Sequence, residues 1–346
     1  MFFTNLIWNK KLGNRNFLLA GYTNNFQLYE DNSSSSIKEQ TFVPGIFVQD
    51  EFNWTDELIL LTGIRLDYHS NHGLIVSPRL SLKKDFGSYT SFRFNYGNGF
   101  RQVHLFTEDH AFLTGAREVL IKNDLNPERS HNVTLNFNHT YNKLGYGNMD
   151  FDVFYTYFQN KIIPDYNTDP NLIIYDNLEG YGITRGLSAS VNHKFKVPLR
   201  VRLGVTLQDV YEITDNEQGE QEKVGQLFAP FFSGVFNLGY EFKKLKMKVN
   251  YTGKIVGPQN LPVYDAPFER EEISPWFALQ NVQISKEFKK GWEVYAGVKN
   301  IFNYTQPSPL VSPDDPYADE FDTSYAYGPL QTRRFFFGVR YNLKRK

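Results

Sequence analysis

Arginines and aromatics in the stretches between this chain's alternating segments are the residues best placed to do chemistry. Arg101, Phe106 and Arg117 fall in the longest such stretch, Tyr166 and Tyr175 in the next, Phe268 and Trp276 in a third, and Tyr317, Phe321, Tyr325 and Tyr327 in the last. Rigid aromatics offer contact area at small entropy cost, and Arg offers a forked donor for carboxylate or phosphate, so the implied chemistry is capture of a small molecule. Each aromatic also has a plainer reading, as an interfacial girdle residue or as packing of a loop on itself. The seven histidines are scattered: His69 and His72 flank a turn, while His104 and His110 share the longest link. No spacing resembles a zinc or non-haem iron site, so neither metal nor cofactor is expected. No Ser, His and acid set stands out as nucleophile, base and orienting group, so the chain does not read as an enzyme. Asn126-Pro127-Glu128 reads as a turn entering a strand, its carboxylate structural. A formal net charge of -1 lacks the basic excess of a nucleic-acid binder.

The elements that would position these residues are strands. The chain has 31 Phe and 22 Tyr, yet it is polar on average and has no run of about 18 apolar residues that could form a membrane helix. That balance fits strands that alternate between an apolar and a polar side. Absence of Cys is compatible with an oxidising location and decides nothing. Alternation bounded by turn residues predicts about fifteen strands, over 2–11, 15–29, 41–53, 57–69, 74–85, 88–97, 129–141, 148–161, 180–196, 199–212, 229–242, 244–257, 275–289, 291–303 and 330–343. In one of them Val133, Leu135, Phe137, His139 and Tyr141 alternate with Thr134, Asn136, Asn138 and Thr140. No helical period is long enough to support an α/β fold.

Short and long links take turns along the chain. Short ones fall at 11–14, 53–56, 84–88, 142–147, 196–198, 243–245 and 289–291; longer ones at 30–40, 70–73, 98–128, 162–179, 213–228, 258–274 and 304–329. An up-and-down meander with its long links at one end is the pattern of a transmembrane antiparallel β-barrel, with short periplasmic turns and longer extracellular loops. The link at 70–73 is short for its place. Charge follows the division: Lys10 and Lys11, Lys83 and Lys84, Lys243 and Lys244, and Lys289 and Lys290 sit at short turns. Asp215, Glu217, Glu220 and Glu222, and later Asp314, Asp315, Asp319, Glu320 and Asp322, sit in long links. Such clusters mark either solvated loops or an acidic mouth that concentrates cations.

From Phe335 the odd positions Phe335, Phe337, Val339, Tyr341 and Leu343 are apolar, and Gly338, Arg340 and Asn342 between them are small or polar. Gly338, Tyr341 and Leu343 look like the C-terminal signal by which the barrel assembly machinery recognises outer-membrane β-barrels. Phe337 stands where that signal usually has a polar residue, and Lys344, Arg345 and Lys346 follow it.

Asn95-Tyr96-Gly97-Asn98-Gly99-Phe100-Arg101, then Asn123-Asp124-Leu125-Asn126-Pro127-Glu128-Arg129-Ser130, resembles the pattern of TonB-dependent receptors of Gram-negative outer membranes. Gly297-Val298-Lys299-Asn300-Ile301-Phe302-Asn303 looks like that family's penultimate strand. The resemblance covers essentially the whole chain. It implies residues 1–346 are a single piece of a barrel of about 22 strands, with roughly seven strands and the plug lying upstream. The start at Met1-Phe2-Phe3, inside a strand and with no signal-peptide pattern, fits that expectation. The resemblance further implies active uptake of a scarce ligand such as a ferric siderophore, another metal chelate or cobalamin. Its partners would be outer-membrane lipid and lipopolysaccharide, the small molecule itself, and the TonB energy-transducing protein acting through the plug. A passive porin or adhesin barrel, and an outer-membrane barrel enzyme, are the competing readings. Replacing Tyr341 and Leu343 together by Ala in the full-length protein is expected to lower its outer-membrane level; unchanged surface labelling would remove their assembly role.

Overall fold

A computed structural model of the chain describes residues 1–31, 37–101, 118–121, 125–165, 172–215, 219–317 and 321–343. Its strands are β1 (Phe2–Leu12), β2 (Asn16–Asp31), β3 (Ile37–Asn53), β4 (Leu58–His69), β5 (Gly73–Phe86), β6 (Thr90–Arg101), β7 (Glu118–Ile121), β8 (Glu128–Tyr141), β9 (Gly145–Gln159) and β10 (Ile162–Asp165). They continue with β11 (Leu172–Asn177), β12 (Gly180–Phe195), β13 (Leu199–Asp215), β14 (Gln221–Gly225), β15 (Phe232–Phe242), β16 (Met247–Val256), β17 (Phe277–Glu287), β18 (Trp292–Lys299) and β19 (Arg334–Tyr341). One 16-stranded sheet has the order β1-β2-β3-β4-β5-β6-β8-β9-β12-β13-β15-β16-β17-β18-β19, with β14 added against β13. The fifteen strands of that path correspond one to one with those predicted from alternation.

The differences have local causes. The strand predicted over 291–303 stops at Lys299 because Asn300 and Asn303 turn left-handed, at φ 52° and 56°. Asn tolerates that conformation, and the Asn300 amide Nδ2 donates to the carbonyls of Tyr304 (2.7 Å) and Gln331 (3.1 Å), fixing the exit. Within the long links β10, β11 and β7 form a separate three-stranded sheet in which β11 and β7 run parallel. Segments of four to six residues are too short to show alternation, and a parallel partner is distant in sequence, so a hairpin reading misses them.

The chain divides into two compact units, Met1–Phe137 with Val153–Arg185 and Tyr211–Val224, and Asn138–Asp152 with Gly186–Val210 and Gly225–Lys346. Within the second unit the register aligns Val201, Leu238, Tyr251, Val282, Val298 and Phe335 across six strands. One residue back on β13, the line reads Arg200, Gly239, Asn250, Gln283, Gly297 and Phe336. One face is therefore apolar and the other polar or small, as a period of two requires. Phe335 and Phe337 are 76% and 72% exposed on the apolar face, too much bare aromatic surface for water. The first unit repeats the arrangement with Leu6, Tyr22, Ile46, Leu66 and Val76 on one line and Asn5, Thr23, Gly45 and Asp67 on the next.

Phe336, the large apolar residue on the polar line, covers Gly297 opposite it, and Tyr295 in turn covers Gly338. A Cβ on Gly338 would meet only the far end of the Tyr295 ring, whereas one on Gly297 would also lie 2.5 Å from the Val282 carbonyl oxygen. Gly297→Ala is expected to cost about 1–3 kcal/mol of overpacking whether or not Phe336 is trimmed to Ala. The cost of Gly338→Ala is expected to vanish in a Tyr295→Ala background. Urea unfolding of the four variants reads both, and equal behaviour at the two glycines would contradict this account.

Candidate functional site: a cationic cavity at the long-link end

β16 and β18 end, and β17 and β19 begin, beside the long links 257–276 and 300–333. There the polar face encloses a cavity of about 590 Å³, lined by Thr252, Lys254, Asn281, Lys299, Thr332 and Arg334 among others. Among the described residues three cations line it and no carboxylate does. Each occupies a polar-phase position in or at the end of a strand, so pairing register, not a local motif, brings them together. Asn300 forms the back wall: its N–H donates to Asn281 Oδ1 (3.0 Å) and its Oδ1 accepts from the Tyr304 N–H (3.0 Å). Lys299 Nζ lies 5.8 Å from the Phe336 ring centroid, which holds it along the wall. A concave site with two ammonium groups, a guanidinium fork and two hydroxyls is built to receive anions, carboxylate, phosphate or phenolate oxygens.

The links beside it form a packed layer of their own. Leu261, Val311 and Tyr325 are its buried centre, with Phe228, Tyr264, Phe268 and Tyr327 against them. Gln306, 4% exposed, donates from Nε2 to the Tyr325 carbonyl (3.0 Å) and accepts at Oε1 from the N–H groups of Tyr327 (2.8 Å) and Gly328 (2.7 Å). Arg270 donates to the carbonyls of Ser308 (2.5 Å) and Leu310 (2.7 Å) and stacks 4.9 Å from the Tyr325 ring centroid. Tyr325 donates its hydroxyl to the Glu271 carbonyl (2.8 Å). Burial raises the Tyr325 phenol and pushes that of Tyr327 up to about 12, with Tyr304 and Tyr325 adding to the latter. The cavity therefore sits beside a rigid rim.

Of the residues expected to contact a ligand, Phe106, Arg117 and Tyr166 lie outside the described residues. Phe268, Tyr325 and Tyr327 come together in the packed layer. Tyr317 is almost wholly exposed, Phe321 is half-buried, and Trp276 is exposed with its ring 5.2 Å from Phe232. In the first unit Tyr175 is buried on β11, and Arg101 Nε donates to Glu128 Oε2 (2.8 Å). Glu128, buried, also accepts from the Ile162 N–H (3.0 Å), in keeping with a structural carboxylate. Gly338 lies under Tyr295, Tyr341 packs 4.7 Å from Trp292, and Leu343 is exposed beyond β19. The first unit has its own polar-face cavity of about 300 Å³, but there Arg65 forks onto the buried Asp67 (2.6 Å and 2.6 Å) and onto Thr23 (2.7 Å), so its charges close on each other. Lys254, Lys299 and Arg334 escaped the sequence reading, which searched the links. Their only sequence signal is a cation in the polar phase beside a long link.

Residues 2–301 match the TonB dependent receptor-like β-barrel family, and the chain belongs to it. Among solved structures it is similar to a variant of the ferric enterobactin receptor PfeA of Pseudomonas aeruginosa, at 15% identity, covering 97% of this chain and 53% of that one with a TM-score of 0.71. It is also similar to the iron transporter FrpB of Neisseria meningitidis (13%, 97% and 54%, TM-score 0.69) and to FpvA of P. aeruginosa bound to a heterologous pyoverdine (18%, 97% and 47%, TM-score 0.69). The chain spans about half the length of these structures. None of the curated proteins matches it.

An ordinary tyrosine titrates near 10, so a Tyr327 phenol held at about 12 favours the folded state while neutral. Its contribution to stability is complete below about pH 10 and is lost as pH rises through about 12. Tyrosinate absorbance of Tyr327→Phe is expected to lack one late-titrating phenol, and its alkaline unfolding is expected to depend less on pH in that window. Curves superimposable on wild type would contradict the buried placement.

Proposed function

We propose that this TonB-dependent receptor-like barrel serves uptake of a scarce anionic metal chelate, of the ferric siderophore kind, across a Gram-negative outer membrane. The observation that carries the reading is the cavity lined by Lys254, Lys299 and Arg334 with no carboxylate among its described lining residues. Family membership and the siderophore and iron receptors among its structural likenesses support the ligand class. Exposed Trp276 and Tyr317 serve as outer contacts, with Phe106, Arg117 and Tyr166 proposed in the same role from their place in the long links. Tyr325, Tyr327 and Phe268 act by keeping the rim rigid. The apolar face meets lipid and lipopolysaccharide, and the polar face lines the lumen. The short turns then face the cell, where the energy-transducing protein drives release through a plug supplied by other residues of the receptor. Nanomolar capture needs about 12 kcal/mol, more than three exposed cations supply, so plug and barrel share the site.

Ferric tris-catecholate is anionic and ferric tris-hydroxamate neutral, which makes them a matched pair of probes. In the full-length receptor, Lys254→Glu with Arg334→Glu is expected to weaken catecholate binding about tenfold or more, near 1.4 kcal/mol, and to leave hydroxamate binding unchanged. Equal loss for both, or none for either, would remove the anion assignment.

A further inference from the structure

Toward the other end of the polar face lies a second basic cavity, whose lining on β16, Lys248 and Asn250, stops two residues short of Thr252 and Lys254 of the first. It is about 350 Å³ and lies where the turns 196–198 and 243–245 adjoin β12, β13, β15 and β16. Lys194, Lys196, Arg200, Lys243 and Lys248 line it, and among the described residues Glu241 is the one carboxylate in the lining. Lys248 is already engaged: Glu241 is its cross-strand neighbour, and its Nζ lies 2.6 Å from Glu287 Oε1. That leaves Lys194, Lys196, Arg200 and Lys243, all exposed, against the single lining carboxylate Glu241, so the cavity keeps a net positive charge. Like charges gathered in a concavity repel one another and focus a positive field, a cost that an anionic occupant removes.

We infer that this cavity docks an acidic polypeptide segment arriving from the short-turn side, distinct from the transported ligand. Three observations select that occupant. Arg200 lies on the polar line with Gly239 and Asn250, opposite the line of Val201 and Leu238, so a lipid headgroup would have to leave the apolar face to reach it. A single phosphate carries at most two charges, too few to offset four cations. The cations come from the end of β12, the turn after it, the start of β13 and the turn after β15, so they are spread over adjoining strands and several side chains are needed to meet them. An extended acidic peptide presents a carboxylate on the same side about every 7 Å, so one segment supplies several to cations spread in this way. Only the cell-facing direction of this end rests on the uptake reading; the cavity and its charge do not.

The test uses the chain in zwitterionic detergent and a fluorescent Glu-rich hexapeptide, followed by anisotropy. Saturable, salt-sensitive binding is expected. Lys194→Glu with Arg200→Glu is expected to weaken it about tenfold or more while the β-sheet circular dichroism is retained. Lys10→Glu with Lys11→Glu, at another basic turn, and Lys254→Glu, at the first cavity, are expected to leave it unchanged, which separates this inference from the chelate assignment. Absence of binding, equal loss at the Lys10 turn, full displacement by millimolar inorganic phosphate, or preferential binding to phosphatidylglycerol vesicles would each overturn the proposal.

Discussion

Antiparallel register is the constraint on which the rest depends. A slip of one residue anywhere would carry Val201, Leu238, Tyr251, Val282, Val298 and Phe335 to the face that holds Arg200, Asn250 and Gln283. It would also dismantle both basic cavities, since Lys254, Lys299 and Arg334 meet only because their strands align. The Gly–aromatic pairs at Gly297 and Gly338 act on the same variable. Each ring fits only where the opposing residue lacks a side chain, so a shifted pairing would collide at these positions.

Charge is then distributed along the polar face rather than across the sheet. Within the second unit, one end of the polar face carries cations beside a packed layer of loops and the other carries cations among short turns, where the apolar face has Lys286 in line with Met247 and Val294. Among the described residues, the acidic runs of the long links do not enter the lining of either cavity.

The backbone was legible because a two-sided sheet writes its period directly into the chain: Phe335 to Leu343 or Val133 to Tyr141 can be read by eye. Where the reading overran, as at Asn300, a left-handed Asn ended a strand whose side-chain pattern continued. β7, β10 and β11 were illegible because they are only four to six residues long and because β7 pairs with β11 in parallel from far away in sequence. The site was less legible than the fold. Aromatics in links look like contacts, yet Tyr325 and Tyr327 fill a core, and Arg101 answers to Glu128. Lys254, Lys299 and Arg334 look like ordinary polar-phase residues, and only the register shows that they converge.

The most direct test of the two-faced sheet exploits the absence of native Cys. Single Cys residues placed in turn from Phe335 to Tyr341 and spin-labelled in a lipid bilayer would report collision with oxygen or with a water-soluble relaxation agent. The account requires oxygen accessibility to peak at 335, 337, 339 and 341 and the aqueous agent to prevail at 336, 338 and 340. Accessibility that fails to alternate, or aqueous access at the odd positions, would contradict it.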